Sequence, residues 1–164
     1  MTLGATVGAL RQALRAQLAA AVDHPALEAD ALLGAATGRS RAAILSAPEQ
    51  RVTTAQQQQI TTWVQQRLAG RPLAYIVGEK EFFGHAFAVQ PGVLIPRPDT
   101  ETLVERALAW AGAHGAPAGF AEVGPGSGAV VISLLLAWPT ARAWAVDPSP
   151  VALAVTAQNA QRHG

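Results

Sequence analysis

The residues best placed to do chemistry lie in one run, Phe120 to Gly128, which reads Phe-Ala-Glu-Val-Gly-Pro-Gly-Ser-Gly. Three glycines alternate with two other residues just after a short apolar stretch that carries Glu122. Glycines at such a bend let the backbone take positive φ and come close to a ligand. The free N–H groups of the helix that follows then point at it. That is the chemistry of a nucleotide-like cofactor site. Spacing leaves two cofactors open. Gly124, Gly126 and Ala129 satisfy the dinucleotide pattern G-x-G-x-x-G/A, and Asp147 stands about where a ribose-binding acid is expected. Gly124, Gly126 and Gly128 equally satisfy the G-x-G-x-G loop of S-adenosylmethionine enzymes. No Lys or Arg lies between Phe120 and Ala141 to meet a pyrophosphate, and Glu122 would tolerate a cationic sulfonium or amino group. Charge therefore favours S-adenosylmethionine.

The surrounding pattern must hold that bend. A strand is expected over 120–123 and a helix over 127–137, stopping near Trp138-Pro139. A second strand is expected over 142–146, ending in Asp147, and Pro148-Ser149-Pro150 starts another helix. Such a βαβα run makes a parallel sheet with a crossover helix. Upstream, Glu79 to Phe83 and Ala86 to Val89 read as a tight hairpin about Gly84-His85. Prolines on both sides of Arg97 fix it in an extended form, as a rigid linker or a site residue. Asp99 or Thr100 can cap a helix over 99–113.

Residues 1 to 77 read as a helical module. Thr6 caps a first helix with Val7, Leu10, Leu14, Leu18 and Val22 at helical spacing. His24-Pro25 starts a second, which Gly38 ends. Ser40 caps a short third, and Thr53 or Thr54 begins a fourth with a capping box to Gln56 or Gln57. Gly70 sits at its C′ position. Trp63 reads as packing, His24 as a cap or surface residue, and Arg39, Arg41 and Arg51 as a solvated basic surface. No catalytic constellation is visible there.

Half of the 164 residues are hydrophobic and 14% are charged, so a sizeable core is available. A net charge of +1 without blocks of like charge gives no electrostatic case for a nucleic-acid or lipid partner. There is no cysteine, hence no disulfide framework and no cysteine metal site. Met1 to Ala21 is amphipathic with Arg11 and Arg15 inside the run, unlike a signal peptide. No window reaches the roughly 18 apolar residues of a membrane span. A cytoplasmic protein is expected.

The string Gly92-Val-Leu-Ile-Pro-Arg-Pro-Asp-Thr-Glu101, preceded by Glu81-Phe-Phe-Gly84, resembles the HemK family of protein-(glutamine-N5) methyltransferases. These modify peptide-chain release factors in translation termination. The resemblance is weak over residues 1 to 70 and strong from Pro72 to Asn159. It implies an all-α bundle that recognises the release factor (1–77), a hairpin and linker (78–98), and the start of a Rossmann-like methyltransferase domain (99–164). It also implies that Gly124, Pro125, Gly126, Ser127 and Gly128 lie along S-adenosylmethionine and that Asp147 binds its ribose hydroxyls. Two positions depart from the family. Glu122 replaces the usual Asp, and Pro125 replaces Thr or Cys, removing a backbone donor.

The family's substrate motif, Asn-Pro-Pro-Tyr, is absent, and Asn159 is the one asparagine. No catalytic and no metal-binding residue is therefore assigned. Two parallel strands are also few for a sheet of about six. The expectation is an N-terminal portion of a longer enzyme, inactive alone. The alternatives are a related amino-methyltransferase acting on adenine or another protein, and a non-catalytic release-factor-binding fragment.

Overall fold

The computed structural model describes residues 5–164, so the first four residues of the amphipathic N-terminal run lie outside the described residues. The chain divides into two compact units, residues up to Val77 and residues from Gly78 onward.

The first unit is helical because its caps and apolar stripes agree. Helix α1 (Val7–Leu18) begins where Thr6 accepts the N–H of Ala9, and it buries Val7, Leu14 and Leu18. Helix α2 (Pro25–Thr37) ends at Gly38, whose φ of 67° lets its N–H turn back to Gly34 O. Helix α3 (Arg41–Ser46) is capped by Ser40. Helix α4 (Thr54–Leu68) has the full capping box between Thr53 and Gln56, a device that stabilises a helix by about 1 kcal/mol. A short helix α5 (Leu73–Val77), not anticipated from the sequence, closes the unit. Leu18, Leu32, Leu33, Ile44 and Ile60 form the centre of the core, with Trp63 and Val22 packed at its margin.

Arg41 is not simply solvated. It and Arg11 both hydrogen-bond the carboxylate of Asp30, whose side chain is buried. Burial alone would raise the Asp30 pKa, but the two guanidinium groups outweigh it and hold the carboxyl below its ordinary value. A second pair joins Arg67 to Glu28 through two hydrogen bonds, of 2.6 and 3.0 Å.

The second unit opens with an antiparallel hairpin, β1 (Glu79–Phe82) and β2 (His85–Ala88). Phe82 pairs with His85, so the turn is Phe83-Gly84, one residue earlier than the sequence suggests. Both turn residues have positive φ, 50° and 75°, as a type I′ turn requires. The N–H of Phe83 donates to Glu101 at 3.0 Å, which fixes an aromatic residue in a conformation that usually selects Gly or Asn. A 3-10 turn (Pro98–Thr100) leads into helix α6 (Glu101–His114), and no side chain caps it. Arg97, just before, is extended as the flanking prolines demand, with φ −95° and ψ 143°.

Strand β3 (Gly119–Val123), helix α7 (Ala129–Ala137), strand β4 (Arg142–Val146) and helix α8 (Pro150–His163) complete the unit. The two strands are parallel, with Glu122 opposite Ala145 and Val123 opposite Val146. Alternation along each strand makes two unlike faces. Phe120 and Ala143 pack into a core built from Phe82, Phe87, Val104, Val131, Ile132 and Trp138. Val123, Trp144 and Val146 point the other way and are exposed, Val123 by 85%. Helix α7 begins at Ala129, where its apolar pattern starts and two residues after the expected Ser127, because Gly126 and Gly128 stay in the left-handed region.

Candidate cofactor site

The bend between β3 and α7 is tied to the end of β4, to Asp147 and to itself. Gly124 N–H bonds Val146 O at 2.7 Å, closing the sheet at its carboxyl end. Asp147, the first residue after β4, reaches back to it. Its Oδ2 accepts the N–H of Gly126 at 3.3 Å and its Oδ1 accepts the N–H of Ser149 at 2.9 Å. The sequence-assigned acid and the sequence-assigned loop are thus in direct contact. Gly128 N–H turns back to Pro125 O at 2.8 Å, and Pro125 itself is buried.

The glycines serve different ends. A Cβ on Gly128 would stand 2.8 Å from Ile132 Cδ1 and 3.0 Å from Thr156 Cγ2 at a φ of 80°, so a side chain there would be strained and would have to displace its neighbours. Gly126, at φ 59°, has no atom within 4 Å of the place a Cβ would take, so space beside the loop is open. Among the described residues, the N–H groups of Ser127, Ala129 and Val130 have no protein acceptor. Open space beside unbonded donors at a helix N-terminus can take an acceptor-rich ligand.

Glu122 does something the sequence did not suggest. Gly128 caps α7 with no side chain of its own. The carboxylate of Glu122, nine residues back on β3, accepts the N–H of Val131 at 2.9 Å in the first turn of that helix. Burial pushes the Glu122 carboxyl above its ordinary pKa, opposed by this hydrogen bond. Asn159, placed by sequence in the last helix and given no task, is fully buried against the loop. Its Nδ2 donates to Ser127 O at 2.8 Å. Thr156 on the same helix donates to Gly126 O at 3.1 Å. Neither residue carried a readable local signal, since their partners lie some 30 residues away. His24 is exposed and makes no capping bond. No group of three or more metal-ligating side chains exists among the described residues. None of their helices is long and apolar enough to cross a membrane.

A strand, a glycine bend bonded to the acid just after the next strand, and a helix start with unbonded N–H groups thus meet at one place. Comparison with known proteins shows what the chain is similar to. A family model described as PrmC N-terminal domain matches residues 9–78. A release factor glutamine methyltransferase of Nitratidesulfovibrio vulgaris is 43% identical over 157 residues, which cover 96% of this chain and 52% of that protein. The protein of that name from Bordetella pertussis is 46% identical over 140 residues, 85% of this chain and 52% of the relative. One from Moorella thermoacetica is 40% identical over 156 residues, 95% and 55%. The chain spans about half the length of the curated relatives it matches. Residues 9–78 thus match the PrmC N-terminal domain, and most of the chain is similar to the release factor glutamine methyltransferases. The resemblance read from the Gly92 to Glu101 string is borne out.

Proposed function

We propose that this chain forms the cofactor-binding part of a methyltransferase that modifies the glutamine side-chain amide in the Gly-Gly-Gln loop of peptide-chain release factors. In this reading residues 78–98 join the helical module, which docks the release factor, to a Rossmann-like unit that begins at 99. Gly124, Pro125, Gly126, Ser127, Gly128 and Asp147 hold S-adenosylmethionine, in a cytoplasmic setting.

The observation that carries the reading is the contact between Asp147 Oδ2 and the Gly126 N–H. It puts a carboxylate at the edge of an open glycine bend, where a ribose would lie. The residues fit the cofactor. Asp147 accepts two protein N–H groups, and a carboxylate offers about four acceptor positions, so sites remain for ribose hydroxyls. The open space at Gly126 admits an approaching ligand. The free N–H groups of Ser127, Ala129 and Val130 suit its acceptor atoms. The bound cofactor would supply an electrophilic methyl group. The chain's own residues bind and orient it, which is most of what a positioning catalyst does.

Nothing in these residues holds the substrate amide. The one asparagine is fully buried and bonded to main-chain groups of Ala88 and Ser127. The chain alone is therefore proposed to bind cofactor without transferring the methyl. Titration calorimetry of the full chain tests this. S-adenosylmethionine should bind and NAD should not; binding of NAD alone overturns the reading. Pro125→Thr restores a backbone donor to the bend and should tighten binding by about three- to tenfold, the effect of one added hydrogen bond. Equal affinities would show that Pro125 does not weaken the site.

A further inference from the structure

Helix α8 treats the two polarities of the glycine bend differently. The carbonyls of Pro125, Gly126 and Ser127 are all engaged, by Gly128 N–H, the Thr156 hydroxyl and the Asn159 amide respectively. The bend's N–H groups are met from elsewhere, Gly124 by Val146 O, Gly126 by Asp147 and Gly128 by Pro125 O, and within the bend only that of Ser127 has no protein acceptor. Thr156 and Asn159 are three apart on α8 and share one face. Both are buried.

Asn159 has a second attachment. Its Oδ1 accepts the N–H of Ala88 at 2.8 Å and its Nδ2 donates to Ala88 O at 3.0 Å. Ala88 is the last residue of β2, opposite Glu79, and it turns these groups away from β1. The carboxamide mimics a peptide unit of a third strand on that free edge. One turn later, His163 Nε2 donates to Ala86 O at 2.9 Å, the next outward carbonyl of the same edge. The Asn159 amide nitrogen thus bridges the hairpin edge and the glycine bend.

We propose that Thr156 and Asn159 are positioning residues for the cofactor loop: they turn the carbonyls of Gly126 and Ser127 onto α8 and set the loop in register with the hairpin edge, leaving the Ser127 N–H unbonded. The proposal rests on the reading of the loop as a S-adenosylmethionine site. Thr156→Val in the full chain removes the hydroxyl but keeps the methyl that packs at Gly128. Thr156→Ser keeps the hydroxyl. Amide hydrogen exchange at Gly126, Ser127 and Gly128 should quicken about tenfold in the valine variant, with α6 unchanged, as expected when one hydrogen bond to the loop is lost. Affinity for S-adenosylmethionine should fall about three- to tenfold, and the serine variant should restore both readouts. Asn159→Asp should loosen the loop amides and those of Ala86 and Ala88 together. Exchange that quickens uniformly through the second unit overturns the proposal, as does a valine variant no different from serine. If the parent binds no S-adenosylmethionine, the proposed function fails while loop exchange still decides the positioning role.

Discussion

In the first unit a buried carboxylate, Asp30, is met by two guanidinium groups; in the second, Glu122 is met by one main-chain N–H. Burial pushes both carboxyls in the same direction. The partners decide the outcome, and the two groups end on opposite sides of their ordinary pKa values. Fixed cations more than offset desolvation, whereas a single dipole does not. The helical unit thus carries a charge that supports its fold. The unit with the glycine bend carries one whose ionised form is penalised, at the place where helix α7 begins.

The sharpest way to break this contrast is Asp30→Asn, which leaves Arg11 and Arg41 without their shared partner. Removing one member of a buried pair can cost 3–5 kcal/mol, but Arg41 is 59% exposed, so solvent screens the loss. We expect about 1–3 kcal/mol in urea unfolding at neutral pH. The folded pKa of Asp30 lies below its unfolded value, so its stabilisation is present above the unfolded pKa and is lost as pH falls through the folded one. The gap between parent and variant should close on acidification. A gap that widens in acid would contradict the pairing.

Glu122→Gln should act in the other direction and by less. Glutamine keeps an acceptor for Val131 N–H without a charge to desolvate. The folded pKa is raised, so the stability this residue allows is fullest below the ordinary glutamate pKa and is lost as pH rises through the folded one. A gain of under ~1 kcal/mol is expected at neutral pH, vanishing in acid, with denaturant midpoints across pH as the measurement. The smallest effect belongs to the outward sheet face. Trp144→Thr removes a ring that is 61% exposed. It should change unfolding free energy by no more than about 0.5 kcal/mol, as exposed substitutions do. A larger loss would mean that this face is covered in solution.

How far such features could be read in advance depended on how local they are. Thr53 with Gln56, Ser40, Gly38 and the limits of β4 rest on neighbours within a few residues, and the sequence showed them plainly. The meeting of the glycine bend with Asp147 was legible as a pattern, because a strand, bend, helix and parallel strand bring the end of the second strand beside the end of the first. The hairpin turn was misplaced by one residue, since Phe83 has positive φ only because Glu101 holds its N–H. The Asp30 cluster, the Glu122 cap and the Asn159 bridge join positions 9 to 71 residues apart. No periodicity reports such meetings; only packing does.

The bond from Phe83 to Glu101 has one more implication. The two strings that first suggested the kinship, Glu81 to Gly84 and Gly92 to Glu101, are not separate signatures. Their ends clasp each other, so they form a single mechanical joint written in two places. Replacing the glutamate should free the main-chain N–H of residue 83 whatever side chain stands there, and grafting either string alone into another scaffold should leave the turn unlatched.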